Sequence, residues 1–251
     1  MPRQARKKST SGIYHIMLRS INQQQIFEDT EDYNKFLQIL KDGKAISEFK
    51  IFAYCLMSNH IHLLIKEQKE PIEQIIKRIA TRFVYWYNIK YRRAGHLFQD
   101  RFKSEPVESD SYFLTVLRYI HQNPVKACMC KKPQDYKYSS YNEFFVDSDF
   151  LDKSFVFNLI PQETFSKFNT ETTRESCLDI KDDYRTKVTE EEARRIFEQI
   201  SKCKNVAEFQ ALDIKSRDKY LMKLKSNGLS IRQINRLTGT SYYVVKTKNQ
   251  S

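Results

Sequence analysis

No run of about 18 apolar residues occurs anywhere in this 251-residue chain, so no segment reads as a transmembrane helix. Met1 to Ser11 is basic and polar with no apolar stretch behind it, which excludes a typical signal peptide. The five cysteines (Cys55, Cys128, Cys130, Cys177, Cys203) are odd in number and include no C-x-x-C pair. A disulfide framework is therefore not expected, and a reducing compartment is. Cys128 and Cys130 lie close to Pro124 and Pro133 and read as incidental rather than as a ligand pair. No G-x-x-x-x-G-K-[ST] loop is present to hold the phosphates of ATP, and no internal repeat is visible. These absences leave a soluble, cytoplasmic protein, long enough for one large domain or a medium domain plus a small one.

What the chain does have is positive charge, unevenly placed. Residues 1 to 143 carry 24 Lys and Arg against 15 Asp and Glu, residues 144 to 215 carry 11 against 15, and residues 216 to 251 carry 8 against 1. Two basic ends flank an acidic middle, the pattern of a protein that grips a polyanion at two places. The basic segments alternate with aromatics and lack a strong lipid-facing moment, so nucleic acid is the expected partner and no membrane is.

Along the chain, Tyr14 to Ile21 alternates as a strand and Thr30 to Glu48 has helical spacing at Tyr33, Phe36, Leu37 and Leu40. Ile51 to Met57 is a second strand that turns at Ser58-Asn59 into a third. Pro71 opens a helix with Ile72, Ile75, Ile76, Ile79, Phe83 and Trp86 along one side. Gly95 to Val107 reads as extended, and Asp110 caps a helix over 111–123 that Pro124 ends. The order β-α-β-β-α-β with a trailing helix predicts an α+β, ferredoxin-like sandwich. Three divisions are expected: a domain over 1–145, an acidic linker with a helical segment from Glu190 to about Phe209 over 146–215, and a tail over 216–251. In the tail, Lys219 to Ser226 is helical, Gly228 ends it, and Ser230-Ile231-Arg232-Gln233 has the capping-box form S-x-x-Q. Gly239 then breaks the chain and Ser241 can cap a last helix. This predicts a helix-turn-helix, with Arg232, Arg236, Lys246 and Lys248 on a basic face too charged for an ordinary core partner.

The chemistry begins at Asn59-His60-Ile61-His62. Alternation sends His60, His62 and Leu64 to one face of a buried strand, and two imidazoles on one rigid surface make half a metal site. The alternative for these residues alone is a pair of hydrogen-bonded structural histidines. A second group is Arg118-Tyr119-Ile120-His121-Gln122-Asn123-Pro124, where Tyr119 and Asn123 are four apart on one helical face and His121 is turned about 200° away from Tyr119. The Asn123 amide can complete a metal site begun by His60 and His62, and the Tyr119 phenol can attack what the metal polarises. Gln99, Arg101 and Lys103 alternate with Phe98 and Phe102, so one edge of that segment could track a DNA backbone or be a solvated hairpin edge. His15, Arg19 and His96 could touch DNA or satisfy local hydrogen bonds. Tyr85, Tyr87 and Tyr91 are rival nucleophiles by type, with packing their default explanation.

Tyr14-His15, the Met57–Leu64 segment, Gly95-His96-Leu97-Phe98-Gln99-Asp100-Arg101-Phe102-Lys103-Ser104 and the Arg118–Val125 segment jointly resemble the single-tyrosine HUH transposases of bacterial insertion sequences. They look most like the REP-associated tyrosine transposase branch, over about residues 10 to 145. The resemblance implies the HUH nuclease fold, a Mg²⁺ or Mn²⁺ ion on His60 and His62 with Asn123 as third ligand, and Tyr119 as nucleophile. It further implies cutting of single-stranded DNA at hairpin-flanked ends, with a 5′-phosphotyrosine and a free 3′-OH as products. The tail looks like the resolvase-type helix-turn-helix appended to some members, which implies duplex binding through Arg232, Arg236 and Lys246. The competing readings are a DNA-binding regulator that keeps the scaffold without cutting, and an HUH replication or mobilisation nuclease. Whether one chain or a homodimer builds the site is open at this stage.

Overall fold

In the computed structural model the described residues are 6–21, 24–171, 177–178 and 190–247, with only the backbone described at 190, 191, 232, 242, 246 and 247. The chain divides into two compact units, Met1–Ile180 and Lys181–Ser251. The first is built on β1 (Ile13–Arg19), α1 (Thr30–Ser47), β2 (Lys50–Leu56), β3 (His60–Lys66), α2 (Ile72–Lys90), β4 (Lys103–Pro106) and α3 (Asp110–Lys126). Its four strands lie in the order β2-β3-β1-β4 with every neighbour antiparallel, which is the ferredoxin-like arrangement. A register shift between Ile51 and Ala53 marks a bulge in β2.

The local reasons for these elements are mostly those of the sequence. Asp29 caps α1 by accepting from the Asp32 amide while the Asp32 side chain reaches back, a reciprocal capping box. The apolar stripe of α2 buries Ile72, Ile75, Ile76, Ile79 and Phe83, but its last member is Tyr87 rather than Trp86, which stays half-buried. Ser109, not Asp110, caps α3, accepting from the Tyr112 amide. Pro124 does not end that helix. The ring forfeits only the bond to the Ile120 carbonyl, and the turn closes further on through Ala127 N–H to the Asn123 carbonyl at 2.9 Å.

The boundaries of the units differ from the expected divisions. Residues 146–171 are not a linker: α4 (Lys153–Leu159) and α5 (Gln162–Thr170) seat Val156, Ile160 and Phe165 in the first core. Short helices carry too few turns for their period to show in sequence. Residues 136–141 run beside β2, where the Leu56 amide donates to the Tyr138 carbonyl, so that edge is covered while the outer edge of β4 has no strand partner among the described residues.

The second unit has its own core of Phe197, Phe209, Leu221, Leu224, Leu229, Ile234 and Val245. Its helices are α6 (Glu190–Ser201), α7 (Val206–Gln210), α8 (Ile214–Ser226), α9 (Ile231–Thr238) and α10 (Tyr242–Thr247). The expected helix from Glu190 to Phe209 is broken at Lys202, which takes a left-handed φ of 57°. Ser230 and Gln233 form the predicted capping box, and Gly239 caps α9 at a φ of +67°. Glycine is required there twice over, since a Cβ would lie 2.6 Å from Val206 Cγ1.

Candidate active site

β1 and β3 pair so that Met17 faces His62 and Arg19 faces His60. His15, Met17, Arg19, His60 and His62 therefore share one face of the sheet. On that face the His60 and His62 rings are 4.9 Å apart, and His15 sits diagonally behind, its Nε2 3.0 Å from His62 Nδ1. His60 Nδ1 is 2.7 Å from the Asn59 carboxamide oxygen, so Nδ1 carries the proton and Nε2 keeps its lone pair. His62 presents Nε2 in the same way in the tautomer whose Nδ1–H donates to His15 Nε2. Both Nε2 atoms are buried without a hydrogen-bond partner.

Protonation is disfavoured at all three rings. Burial pushes His60 down to about 4, with the Arg19 charge adding to the shift and the Asn123 amide opposing it. Burial takes His15 to about 3. His62 is driven well below its ordinary value by burial first and by His60 and His15 second. Neutral imidazole is the metal-binding form.

α3 brings the other two groups. The Tyr119 ring centre is 5.6 Å from His62 and 5.8 Å from His15, and Asn123 follows one turn later, 1% exposed. The Asn123 amide is near enough to His60 to favour its charged form, yet both its polar atoms lack a hydrogen bond of ordinary geometry. Two segments far apart in the chain thus converge, one bringing His60 and His62 and the other Tyr119 and Asn123. The Lys126 ammonium lies over the Tyr119 ring at 4.7 Å, and Arg19 stands beside His60, so cations frame the group. Tyr119 is itself only 5% exposed.

The residue facing away from the site has a separate task. His121 is fully buried, with Nδ1 2.8 Å from Asn169 Oδ1 and Nε2 2.9 Å from Ser140 Oγ, while Gln122 donates to the Asn169 and Glu171 carbonyls. These bonds tie α3 to α5 and fix the helix that carries Tyr119.

The predicted DNA contacts separate. Lys103 pairs with Met17 and shares the histidine face, Arg101 lines a cavity on the far side of β1, and Gln99 is exposed, its amide donating to the Arg19 carbonyl. In the second unit Arg236 is exposed on α9. The side chains of Arg232 and Lys246 and the whole of Lys248 lie outside the described residues. Lys225 on α8 is buried. Tyr87 is held by packing and by contacts to the Gln25 carbonyl and Glu28, and Tyr91 by bonds to Asp32, but Tyr85 is 70% exposed, so packing does not account for it. His15 as the partner that orients His62 was visible in sequence only as a histidine of matching parity on β1.

The residues present suit a divalent ion: two buried imidazole nitrogens and an amide oxygen, none with a protein hydrogen bond of ordinary geometry. Among the described residues no three His, Cys, Asp or Glu side chains gather as a metal cluster, so two imidazoles and one amide are what the chain offers.

Residues 8–123 match the profile of the family described as transposase IS200 like. The match covers just under half of the chain and marks a likeness to IS200-like transposases. A Haemophilus influenzae protein named as a candidate REP-associated tyrosine transposase is 28% identical over 125 residues, covering 45% of this chain and 70% of that protein. A solved REP-associated tyrosine transposase bound to a REP hairpin superposes with a TM-score of 0.54 at 16% identity, covering 71% of this chain and 96% of that one. At that identity the likeness establishes the shared fold. No helix among the described residues is long and apolar enough to cross a membrane.

Proposed function

We propose that this chain is a transposase that nicks and rejoins single-stranded DNA through Tyr119. The observation that carries the reading is the convergence of the Tyr119 phenol, two unengaged imidazole nitrogens and the Asn123 amide on one face of a rigid sheet. Tyr119 Oη attacks the scissile phosphorus, loses its proton and becomes a 5′-phosphotyrosine, while the departing O3′ takes up a proton as a free 3′-OH. Reversal by another 3′-OH rejoins strands, so the phosphodiester energy is conserved in the tyrosine ester. His60, His62 and Asn123 would hold Mg²⁺ or Mn²⁺, which supplies Lewis-acid polarisation of the phosphate when bound. Asn59 and His15 hold the two imidazoles in the tautomers that expose Nε2. Arg19 and Lys126 attract the phosphate. The hairpin bound by the solved neighbour supports folded single-stranded DNA as the partner here.

α8 to α10, with the capping box at Ser230 and the glycine turn at Gly239, support a helix-turn-helix that adds duplex binding, with Tyr243 exposed on its last helix. Cytoplasmic placement follows from DNA as substrate. The burial of Tyr119 favours a second reading, a regulator that binds DNA without cutting it. Incubation with hairpin DNA from the flanks of the chain's own gene separates the two. Cutting should vanish in EDTA and in His60→Ala and His62→Ala while much of the DNA binding persists, and unimpaired cutting by both variants would end the metal-site assignment.

A further inference from the structure

On the opposite face of the sheet from the histidines lies a cavity of about 570 Å³ between α2 and residues 96–102. Its walls are apolar, with Leu18, Ile76, Ala80, Val84, Leu97 and Phe98 contributing. Its rim is charged: Arg6, Lys77 and Arg101 against Glu73 and Asp100. Arg6 lies over the Phe102 ring at 3.8 Å and donates to the Phe102 carbonyl at 3.0 Å. Arg101 stands close enough to push the Arg6 guanidinium below its ordinary range, second to burial, with Glu73 opposing. At the mouth, Tyr85 is 70% exposed, and Ile89 one turn on is 61% exposed. A large ring left in water on an otherwise amphipathic helix is what the core does not explain.

We propose that this cavity receives an unpaired base of the DNA strand, stacked against Tyr85 and the apolar wall, with its flanking phosphates on Arg101 and Lys77. A nucleotide is the ligand that has both a flat apolar ring for the walls and an anion for the rim. A paired duplex presents phosphates but no base face to enter a concave apolar pocket. The route is short along the chain: residues 98–103 run from the cavity to Lys103, which sits on the histidine face, and they pass along the open edge of the sheet. A strand whose scissile phosphate lies at Tyr119 can therefore turn round that edge and place a neighbouring base in the cavity. The inference rests on the chain's being a single-strand DNA enzyme.

The test is binding of the full chain, in EDTA, to the octamers dT8, dC8 and dA8 and to an eight-unit abasic phosphodiester of equal charge. At least one octamer should bind about tenfold more tightly than the abasic strand, since stacking acts on the base and not on the backbone. Ala80→Trp, which fills the cavity, and Tyr85→Ser at its exposed mouth should each remove most of that preference and leave abasic binding within about twofold. Tyr85→Ser keeps the test alive where Ala80→Trp fails to fold. A 4-thiothymidine in the bound strand should photo-cross-link to α2 near residues 81–85 or to residues 98–102. Equal binding of all four strands, a preference that survives both substitutions, or a cross-link elsewhere would overturn the inference. Because EDTA prevents cutting, base preference is read apart from the chemistry: base preference in EDTA with no covalent adduct once Mn²⁺ is supplied sinks the nicking reading, and an adduct with Mn²⁺ but no base preference in EDTA sinks this one.

Discussion

His15→Leu removes the one partner of His62 Nδ1 without touching any group proposed to bind the ion. Both rings are fully buried and the contact is 3.0 Å, so the variant leaves a buried ring nitrogen unpaired, which costs about 1–3 kcal/mol of stability. It also frees the His62 tautomer and ring angle. Loss of a partner that orients a ligand weakens metal binding by about 10- to 100-fold. The two effects separate in a thermal-unfolding series with and without Mn²⁺. At a free ion concentration about 100 times the parent dissociation constant, the parent gains about 2.7 kcal/mol. The variant at the same concentration should gain about 1.4 kcal/mol for a tenfold loss and about 0.4 for a hundredfold loss. His15→Gln, which keeps an acceptor, should recover part of the difference. If His15→Leu lowers stability but retains the full ion-dependent gain, His15 is a packing residue and does not orient a ligand. If the parent gains nothing from Mn²⁺, the two histidines are structural.

The buried histidines set an acid limit: their folded values are depressed to about 3 at His15 and about 4 at His60 and His121, so the unfolded chain binds more protons below about pH 6.5. Stability in EDTA should be full above that pH and fall as pH drops towards 4, by about 1.4 kcal/mol per unit for each histidine involved; a urea midpoint unchanged from pH 7 to pH 4.5 would contradict it. A chain ending at residue 180 should fold and nick a hairpin but bind duplex flank more weakly and with a shallower salt dependence, whereas one ending at residue 145 should not fold, because it loses Val156, Ile160 and Phe165 from the core. Equal duplex affinity in the 180-residue chain would make the second unit a packing or oligomerisation element. Gly239→Ala places a Cβ 2.6 Å from Val206 at a left-handed φ, and should lower the melting of the second unit by roughly 2 kcal/mol or more while nicking persists; an unchanged second transition would show that α7 and α9 yield there.

The site was legible where its chemistry is local. The parity of His60 and His62 and the four-residue spacing of Tyr119 and Asn123 depend only on strand and helix periods, and both hold in the fold. The orienting role of His15 was hidden because it depends on the register of β1 against β3, which is set by the whole sheet. The same is true of His121: its partners Asn169 and Ser140 lie 48 and 19 residues away, on segments without a visible period. Gln99, Arg101 and Lys103 looked like one edge because they alternate. They diverge because the chain is a strand only from Lys103 onward, so alternation does not govern the residues before it.

The central claim is that Tyr119 is the nucleophile, and mass-spectrometric mapping of a trapped covalent adduct tests it most directly. The parent chain, incubated with Mn²⁺ and a 3′-labelled hairpin strand from the flanks of its gene, should carry the label on the tryptic peptide containing Tyr119. Tyr119→Phe should bind the same DNA and carry none. An adduct on Tyr85, Tyr87 or Tyr91, or undiminished adduct in Tyr119→Phe, would contradict the account.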